Sequence, residues 1–175
     1  NVIQIDPGDK VRAYINVKNL NDEEFVQNNY LVMCTKRGII KKTTLEDYSR
    51  PRTNGVKAIV IRDGDQLLEV KLTSGQAEIM IAAREGRAIR FNESTVRPMG
   101  RVSSGVRAIS IDDDNEVTGM IAIEPGSEQD VLVLSENGYG KRTDLEEYRI
   151  TNRGGKGVKT VNITEKTGQL ISIQA

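Results

Sequence analysis

Short apolar runs and glycine turns recur along this chain of 175 residues. The runs are residues 31–34, 79–82 and 131–134, and each leads into a tight turn that ends at Gly38, Gly86 or Gly138. Runs of this length bounded by turn residues predict strands rather than helices. Glycine at the end of the turn suits the positive φ that a hairpin needs. A second strand is predicted after each turn, over residues 39–43, 87–91 and 139–143.

The rest of each repeat predicts two more strands. Residues 56–61 alternate between two faces and predict a third strand, with counterparts after Gly105 and Gly157. A polar turn follows, and the fourth strand is predicted at residues 67–72, 117–123 and 170–173. Short helical turns are predicted at 44–48 and 144–148. Residues 19–29 are polar and predict a connection.

The repeat has a period of about 50 residues. The hairpin glycines are 48 and 52 residues apart, and the glycines at 55, 105 and 157 are 50 and 52 apart. Residues 3–9 match residues 59–65, so we expect the chain to begin inside a further repeat and to be a piece of a longer array. Four-stranded units at this period predict an all-β, propeller-like array of three and a fraction blades. A β-sandwich with regular strands is the alternative, and the matched glycines favour blades.

Composition excludes several kinds of function. The chain has no histidine, which removes Ser-His-Asp and Cys-His catalysis and the commonest zinc ligand. A single cysteine, Cys34, cannot form an intramolecular disulfide and fits a reducing compartment. No apolar run approaches the length of a membrane span, and no signal peptide is visible. We therefore expect no catalytic site and no membrane partner.

The net charge of zero is a cancellation between two parts of every repeat. The stretches 36–59, 84–109 and 136–160 together hold 19 Lys or Arg and 8 Asp or Glu, whereas the rest holds 6 and 17. Equivalent segments of stacked repeats share one surface, so the basic stretches should form a continuous band and the acidic turns should face elsewhere. A basic band of this kind is the electrostatic footprint of nucleic-acid binding. A solvated charged face is the alternative interpretation.

Duplex DNA is the nucleic acid that the composition favours. There is no Trp and there are only two Phe, so stacking platforms for single strands are poorly supplied. Contact with phosphates along a curved band would bend the duplex. The candidate contacts lie on the second strands, their turns and the following loops, and are Arg37, Lys41, Lys42, Arg50, Arg52, Arg87, Arg90, Arg97, Arg101, Lys141, Arg142, Arg149, Arg153 and Lys156.

Other motifs have simpler interpretations. Lys156 is followed by glycine rather than by Ser or Thr, so residues 154–157 do not form a Walker loop, although their backbone N–H groups could meet a phosphate. Residues 112–114 predict a solvated turn rather than a calcium loop. Cys34 is expected to be a buried packing thiol. Tyr48 and Tyr148 occupy equivalent positions and are expected to pack beneath the loop.

Residues 137–143, Asn-Gly-Tyr-Gly-Lys-Arg-Thr, are followed by Glu-Tyr-Arg at 147–149 and Arg-Gly-Gly-Lys-Gly at 153–157. Together with residues 38–43, 63–65, 72–75 and 96–100, these stretches resemble the carboxy-terminal domain of the DNA gyrase A protein over essentially the whole chain. The paralogous topoisomerase IV domain shares the blades, and residues 137–143 favour gyrase. The family's signature box has a glutamine and a basic residue that residues 151–157 lack, so we expect the box itself to precede Asn1.

The resemblance implies a β-pinwheel, usually of six blades, in which neighbouring blades exchange strands. Residues 1–175 would be part of one such domain, with the end of a preceding blade and a connection at 1–29 and blades at 30–77, 78–129 and 130–175. It further implies that the domain wraps duplex DNA on its basic perimeter and presents it to the cleavage core for ATP-dependent negative supercoiling.

The implied partners are duplex DNA, the remainder of the gyrase A protein and the gyrase B protein, in the bacterial cytoplasm and associated with the nucleoid. ATP and Mg²⁺ would be used elsewhere in the enzyme, so no cofactor is expected in this chain. A propeller-type scaffold whose basic face binds an acidic protein is the alternative function.

Overall fold

The computed structural model describes residues 5–175, so the start of the predicted repeat match at residues 3–9 lies outside the described residues. The described part contains eleven strands, one short α-helix and three 3-10 turns. The strands are β1 (Tyr30–Thr35), β2 (Ile39–Thr44), β3 (Leu67–Thr73), β4 (Glu78–Ala83), β5 (Arg87–Asn92), β6 (Val106–Arg107), β7 (Val117–Ile123), β8 (Asp130–Ser135), β9 (Gly140–Asp144), β10 (Val158–Lys159) and β11 (Leu170–Gln174). The 3-10 turns are Leu45–Tyr48, Glu93–Thr95 and Leu145–Glu147.

The strands form three antiparallel sheets that exchange strands along the chain. The sheet orders are β3-β1-β2-β6, β10-β5-β4-β7 and β11-β8-β9. β6 belongs to the second repeat but completes the first sheet, and β10 belongs to the third repeat but completes the second. The all-β pinwheel architecture predicted from the sequence is therefore confirmed, including the exchange that the resemblance implies.

Glycine permits the exchanged strand to approach its partner. Gly105 has a φ of +103°, and a Cβ built there would lie 2.3 Å from the carbonyl oxygen of Ile40. Gly157 has a φ of +73°, and its Cβ would lie 2.4 Å from the oxygen of Ala88. Residues with a side chain rarely adopt this conformation, and none would fit against the neighbouring backbone. The glycine before valine in the second and third repeats thus permits the exchanged strand to lie against its partner.

The third strand of each repeat is shorter than predicted. Residues 56–61 form no strand, whereas the counterparts β6 and β10 each contain two residues. The predicted alternation is kept only in part, because Lys57 and Ile61 are exposed whereas Ala58 and Ile59 both pack against the same core cluster. A strand also needs a hydrogen-bonded partner. For β6 and β10 that partner is the second strand of the preceding repeat. Within residues 5–175 no such strand precedes residues 56–61.

The hydrophobic core lies between the sheets. In β4, Ile79 and Ile81 pack toward the first sheet, whereas Met80 and Ala82 pack toward the third. Both faces of the middle sheet are buried, which explains why the first strand of that repeat is a continuous apolar run instead of an alternating one. Along another edge, β3 packs beside β7 and β7 beside β11. These fourth strands form the inner edge of the array, and β6 and β10 lie on the outer edge.

The segment before the first sheet packs against it. Ala13, Ile15 and Val17 contact the core cluster that contains Leu31 and Val70, and the side chains between them are exposed. A helix follows at Glu23–Asn28, where the sequence predicted only a polar connection. The carboxylate of Asp22 accepts a hydrogen bond from the N–H of Phe25, which caps the helix. No helix within residues 5–175 is long and apolar enough to cross a membrane.

Candidate nucleic-acid interface

Three of the predicted contact residues are buried between repeats. The side chain of Lys41 is fully buried, and its Nζ donates to the backbone oxygens of Ala58 and Arg101. Lys42 is 4% exposed and Arg90 is 6% exposed. The expectation that these three side chains line the basic surface is therefore wrong, because their charged groups face protein acceptors.

Lys42 and Arg90 occupy equivalent positions and make equivalent bonds. Lys42 Nζ donates to the backbone oxygen of Glu93 at 3.0 Å. Arg90 Nη1 donates at 2.8 Å to the oxygen of Leu145, which is the counterpart of Glu93 one repeat later. Each bond joins the second strand of one repeat to the 3-10 turn of the next. These side chains hold neighbouring blades together.

Acidic and aromatic groups balance these buried charges. Lys42 Nζ lies 3.7 Å from the Glu93 carboxylate and 5.0 Å from the centre of the Tyr30 ring. Arg90 Nε donates to Glu78 at 2.6 Å. Tyr30 and Glu78 stand at equivalent positions, so each repeat supplies a different partner for the same basic residue. A buried charge without such a partner would be strongly destabilising.

Burial shifts the pKa of both lysines downward. Desolvation, together with a smaller effect of the nearby Arg101 guanidinium, lowers the pKa of Lys41 to about 8 against the opposing effect of Asp47. Desolvation also lowers the pKa of Lys42, while the Glu93 carboxylate acts in the opposite direction. Neither lysine has the exposed, fully hydrated ammonium group that a phosphate contact requires.

The third repeat presents its second strand differently. Lys141 and Arg142 are exposed, and Arg142 donates to the carboxylate of Asp130 at 2.5 Å. Within residues 5–175, β9 pairs with β8 alone, so no outer strand or following turn covers these two side chains. Arg142 is the counterpart of Lys42 and Arg90.

A second set of bonds between repeats involves Arg101 and Arg153. Arg153 Nη1 donates to the oxygen of Arg107 at 2.9 Å, and its Nε donates to the oxygen of Thr95 at 3.0 Å. Arg101 Nη1 lies 3.4 Å from the oxygen of Lys57, which is the counterpart of Arg107. Both arginines are partly buried. They lie at the predicted surface but bind the backbone of the preceding repeat.

The hairpin turns lie on the same side as the acidic turns. Arg37 Nη1 donates to the oxygen of Asn115 at 2.7 Å, and its Nη2 lies 3.3 Å from the Asp113 carboxylate. Lys36 pairs with Glu116 in the same region. The expectation that the acidic turns face away from the whole basic stretch is wrong here. Arg87, also partly buried, donates to the oxygen of Gly157 across the exchanged strand.

The remaining predicted residues are exposed. They lie on the loops that follow the second strands and are Arg50, Arg52, Arg97, Arg149 and Lys156. Arg97 borders a cavity of about 290 Å³ that Pro98, Met99 and Arg153 also line. The glycine loop beside Lys156 is less available than expected, because the N–H of Gly154 donates to the oxygen of Ala108 at 2.6 Å.

Sequence reasoning missed three exposed basic residues that occupy one equivalent position of the repeats. Lys57, Arg107 and Lys159 each follow the Gly-Val pair that marks the exchanged strand. Arg107 lies in β6 opposite Ile39, and Lys159 lies in β10 opposite Arg87. The signal that could have identified them is their fixed position after the matched glycines.

The expected packing roles of Cys34 and the two tyrosines are confirmed. Cys34 is fully buried, and desolvation raises the pKa of its thiol. Tyr48 donates to the oxygen of Ala58 at 2.8 Å, and the hydroxyls of Tyr148 and Thr160 are hydrogen-bonded at the equivalent place. Among residues 5–175, no group of three or more Cys, Asp or Glu side chains is arranged to hold a metal ion.

Comparison with known proteins agrees with this geometry. The family model described as "DNA gyrase C-terminal domain, beta-propeller" matches residues 29–74, 77–124 and 129–175. The DNA gyrase A protein of Staphylococcus aureus strain NCTC 8325 is 44% identical over 173 residues, which cover 99% of this chain and 19% of the relative. The gyrase A protein of Staphylococcus epidermidis is equally similar, with the same coverage. The chain thus spans about a fifth of the length of these relatives.

Two solved structures share the fold. The crystal structure of the C-terminal domain of DNA topoisomerase IV has a TM-score of 0.85 at 26% identity, covering 98% of this chain and 51% of that one. The structure of a DNA gyrase A C-terminal domain has a TM-score of 0.82 at 22% identity, covering 99% and 56%.

The exchanged strands and the period near 50 residues define a β-pinwheel repeat domain with basic side chains on its outer edge. This chain belongs to the DNA gyrase C-terminal domain family.

Proposed function

We propose that this chain binds duplex DNA through the phosphate backbone along its outer edge and bends the duplex around that edge. The observation that supports the proposal best is the series of exposed Lys and Arg side chains on the outer strands and loops of all three repeats. Positive charge that recurs in every repeat suits a polyanion with a regular phosphate repeat. Few aromatic groups are available for base stacking, which favours duplex over single strands.

Bending follows from the shape of the array. The sheets pack face to face and their inner strands β3, β7 and β11 lie side by side, so we expect the outer contacts to follow a curved line. A duplex that follows the line must bend, and the elastic energy is offset by the added phosphate contacts. Binding would show little sequence preference, because backbone contacts carry no direct sequence information.

In a complete enzyme, we propose that the wrapped segment is presented to a cleavage core for strand passage with negative supercoiling. The protein partners would be the rest of a gyrase A protein and a gyrase B protein. ATP and Mg²⁺ would be used by those parts and not by this chain. The site of action would be the bacterial cytoplasm, at the nucleoid.

The test of DNA binding is a salt titration with a labelled duplex. The logarithm of the binding constant should fall linearly with the logarithm of salt concentration, by about 0.9 for each phosphate contacted. Two duplexes of different sequence and equal length should bind about equally. Binding that is absent at low salt, or insensitive to salt, would contradict the proposal.

Two alternatives have distinct outcomes. An interaction scaffold would bind an acidic protein in preference to duplex of the same net charge. A topoisomerase IV type of domain is favoured by the similarity to that solved structure, whereas the identity to the gyrase A protein is higher. A topology assay on the whole enzyme, with and without this region, separates the two, because only the gyrase type should lose net introduction of negative supercoils.

A further inference from the structure

Lys57, Arg107 and Lys159 occupy one equivalent position of the repeats. In the described part of the chain, no other equivalent position carries an exposed basic residue in all three repeats. Each follows the Gly-Val pair of its repeat and is exposed. Arg107 and Lys159 lie in the outer strands β6 and β10, and Lys57 lies in the equivalent segment, which forms no strand. Within residues 5–175, none of the three side chains forms an ion pair or donates a hydrogen bond to the protein. Their charges are therefore available to an external anion.

The backbone of these residues is fixed although their side chains are free. Arg107 is held in β6 against Ile39, and its carbonyl oxygen accepts from Arg153 Nη1 at 2.9 Å. The carbonyl oxygen of Lys57 faces Arg101 Nη1 at 3.4 Å. A partly buried arginine of the next repeat thus anchors the peptide that carries each of these two exposed cations. These bonds fix the backbone of Lys57 and Arg107, whereas the charged ends of both side chains stay in solvent.

The loop residues lack such a common frame. The stretch between the hairpin glycine and the Gly-Val pair is two residues longer in the later repeats than in the first, so Arg50 and Arg52 have no strict counterparts. Arg97 and Arg149 are counterparts of each other, but the first repeat has Ser49 at that position. Phosphates along a duplex recur at regular intervals, and contacts that repeat with the blades must come from equivalent backbone positions. The residue after Gly-Val meets that requirement in every repeat.

Resting on the proposed function, we infer that Lys57, Arg107 and Lys159 form a repeated phosphate contact, one for each repeat, and that Arg101 and Arg153 are positioning residues for Lys57 and Arg107. The three cations set the path of the duplex across the blades. The loop arginines add charge around that path without fixing it.

The first test compares two triple variants of equal charge. One carries Lys57→Gln, Arg107→Gln and Lys159→Gln, and the control carries Lys10→Gln, Lys18→Gln and Lys166→Gln at exposed positions outside the exchanged strands and outside the loops that follow the second strands. The slope of the salt titration should fall by about three in the first variant, about one for each contact. The slope for the control variant should fall by less than one. Equal slopes in the two variants would overturn the repeated contact.

Thermal unfolding of both variants shows whether a change in binding comes from a loss of folded protein. All six side chains are exposed, so both melting temperatures should stay close to that of the unchanged chain. If the unchanged chain binds no duplex at all, the proposed function fails together with this inference. If the chain binds and the outer-edge variant binds equally well with an unchanged slope, only the inference fails.

A double-mutant cycle tests the positioning role of Arg153. If Arg153 acts by placing Arg107, then Arg153→Gln should weaken duplex binding several-fold alone and much less in an Arg107→Gln background. In a Lys159→Gln background, the effect of Arg153→Gln should remain at full size, because no bond joins those residues. An equal effect in both backgrounds would assign Arg153 to direct contact or to general stability and would overturn its positioning role.

Discussion

Residue 93 shows how one position can differ between repeats that share a fold. Leu45 and Leu145 occupy the equivalent place, and both are buried apolar side chains. Glu93 is fully buried, and its carboxylate accepts from the N–H of Ala77 at 2.7 Å and from the hydroxyl of Thr73 at 2.8 Å. It therefore ties the segment between the first and second repeats to Lys42.

We predict that Glu93→Ala lowers the free energy of unfolding by about 3 kcal/mol, because it leaves the Lys42 charge buried without its carboxylate. Chemical denaturation measures the loss. The double variant Lys42→Met, Glu93→Leu should recover part of it, since replacing a buried pair by apolar groups is often neutral. A loss below about 1 kcal/mol for Glu93→Ala would show that the pair contributes little.

The buried Lys41 predicts a specific pH dependence. Its pKa is about 8 in the folded chain and 10.5 ordinarily, so between these values the unfolded chain binds more protons. The free energy of unfolding should therefore rise with pH from about 8 toward 10.5 through this group. Denaturation across that range should give a flatter profile for Lys41→Met than for the unchanged chain. Parallel profiles would contradict the lowered pKa.

At the scale of elements, the exchanged strand depends on its glycine. We predict that Gly157→Ala is destabilising and loosens β10, because the added Cβ would meet the oxygen of Ala88. Gly55→Ala is the matched control, since Gly55 has a φ of +74° with no atom within 4 Å of the added Cβ. The control should lower the free energy of unfolding by about 1 kcal/mol because of its backbone conformation, and Gly157→Ala should lower it by about 2 kcal/mol more.

Amide hydrogen exchange locates that effect. The N–H of Thr160 donates to the oxygen of Gly86 at 2.9 Å and should lose protection in Gly157→Ala. The amides that bond β4 to β7, far from the added methyl group, should keep their protection from exchange. Uniform loss of protection over both regions would indicate global destabilisation without a specific effect on the exchanged strand.

Elements with partners nearby in sequence were predictable. The hairpin strands and the fourth strands follow from apolar runs and glycine turns, because those signals are local. The two-residue length of β6 and β10 was not predictable, since their partners lie in the preceding repeat. The helix at Glu23–Asn28 had a local signal, with Asp22 before two glutamates, that the polarity of the segment obscured.

The candidate site was predictable only in part for a related reason. A basic pair on a strand, such as Lys41 and Lys42, has the pattern of a surface, and burial came from contacts with later residues such as Arg101 and Glu93. The exposed loop arginines follow directly from charge counting. Arg107 and Lys159 could be identified as outer-edge residues only from the observation that their strands lie at that edge.

At the scale of the whole molecule, positive and negative regions meet at the hairpin end of the array. Arg37, Lys36 and Arg84 pair with the acidic turn of the second repeat through partly exposed contacts of 3.3 to 3.9 Å. Exposed pairs of this kind contribute little to stability. Their larger effect is on the field that an approaching polyanion meets.

We predict that Asp112→Asn, Asp113→Asn and Asp114→Asn together strengthen duplex binding by about two- to fivefold at low salt. Removal of long-range repulsion is the cause, and salt above about 0.5 M should abolish the difference. Parallel titrations of the variant and the unchanged chain measure it. An advantage that persists at high salt would point to a changed contact instead of a changed field.

The strand exchange separates the unit of sequence from the unit of structure. One period of about 50 residues encodes three strands of its own sheet and the outer strand of the sheet before it. A gene segment that is duplicated or lost as a whole period therefore leaves every internal sheet complete, whereas a cut between two repeats leaves the sheet before the cut without its outer strand. We therefore expect arrays of this fold to differ in length by whole periods.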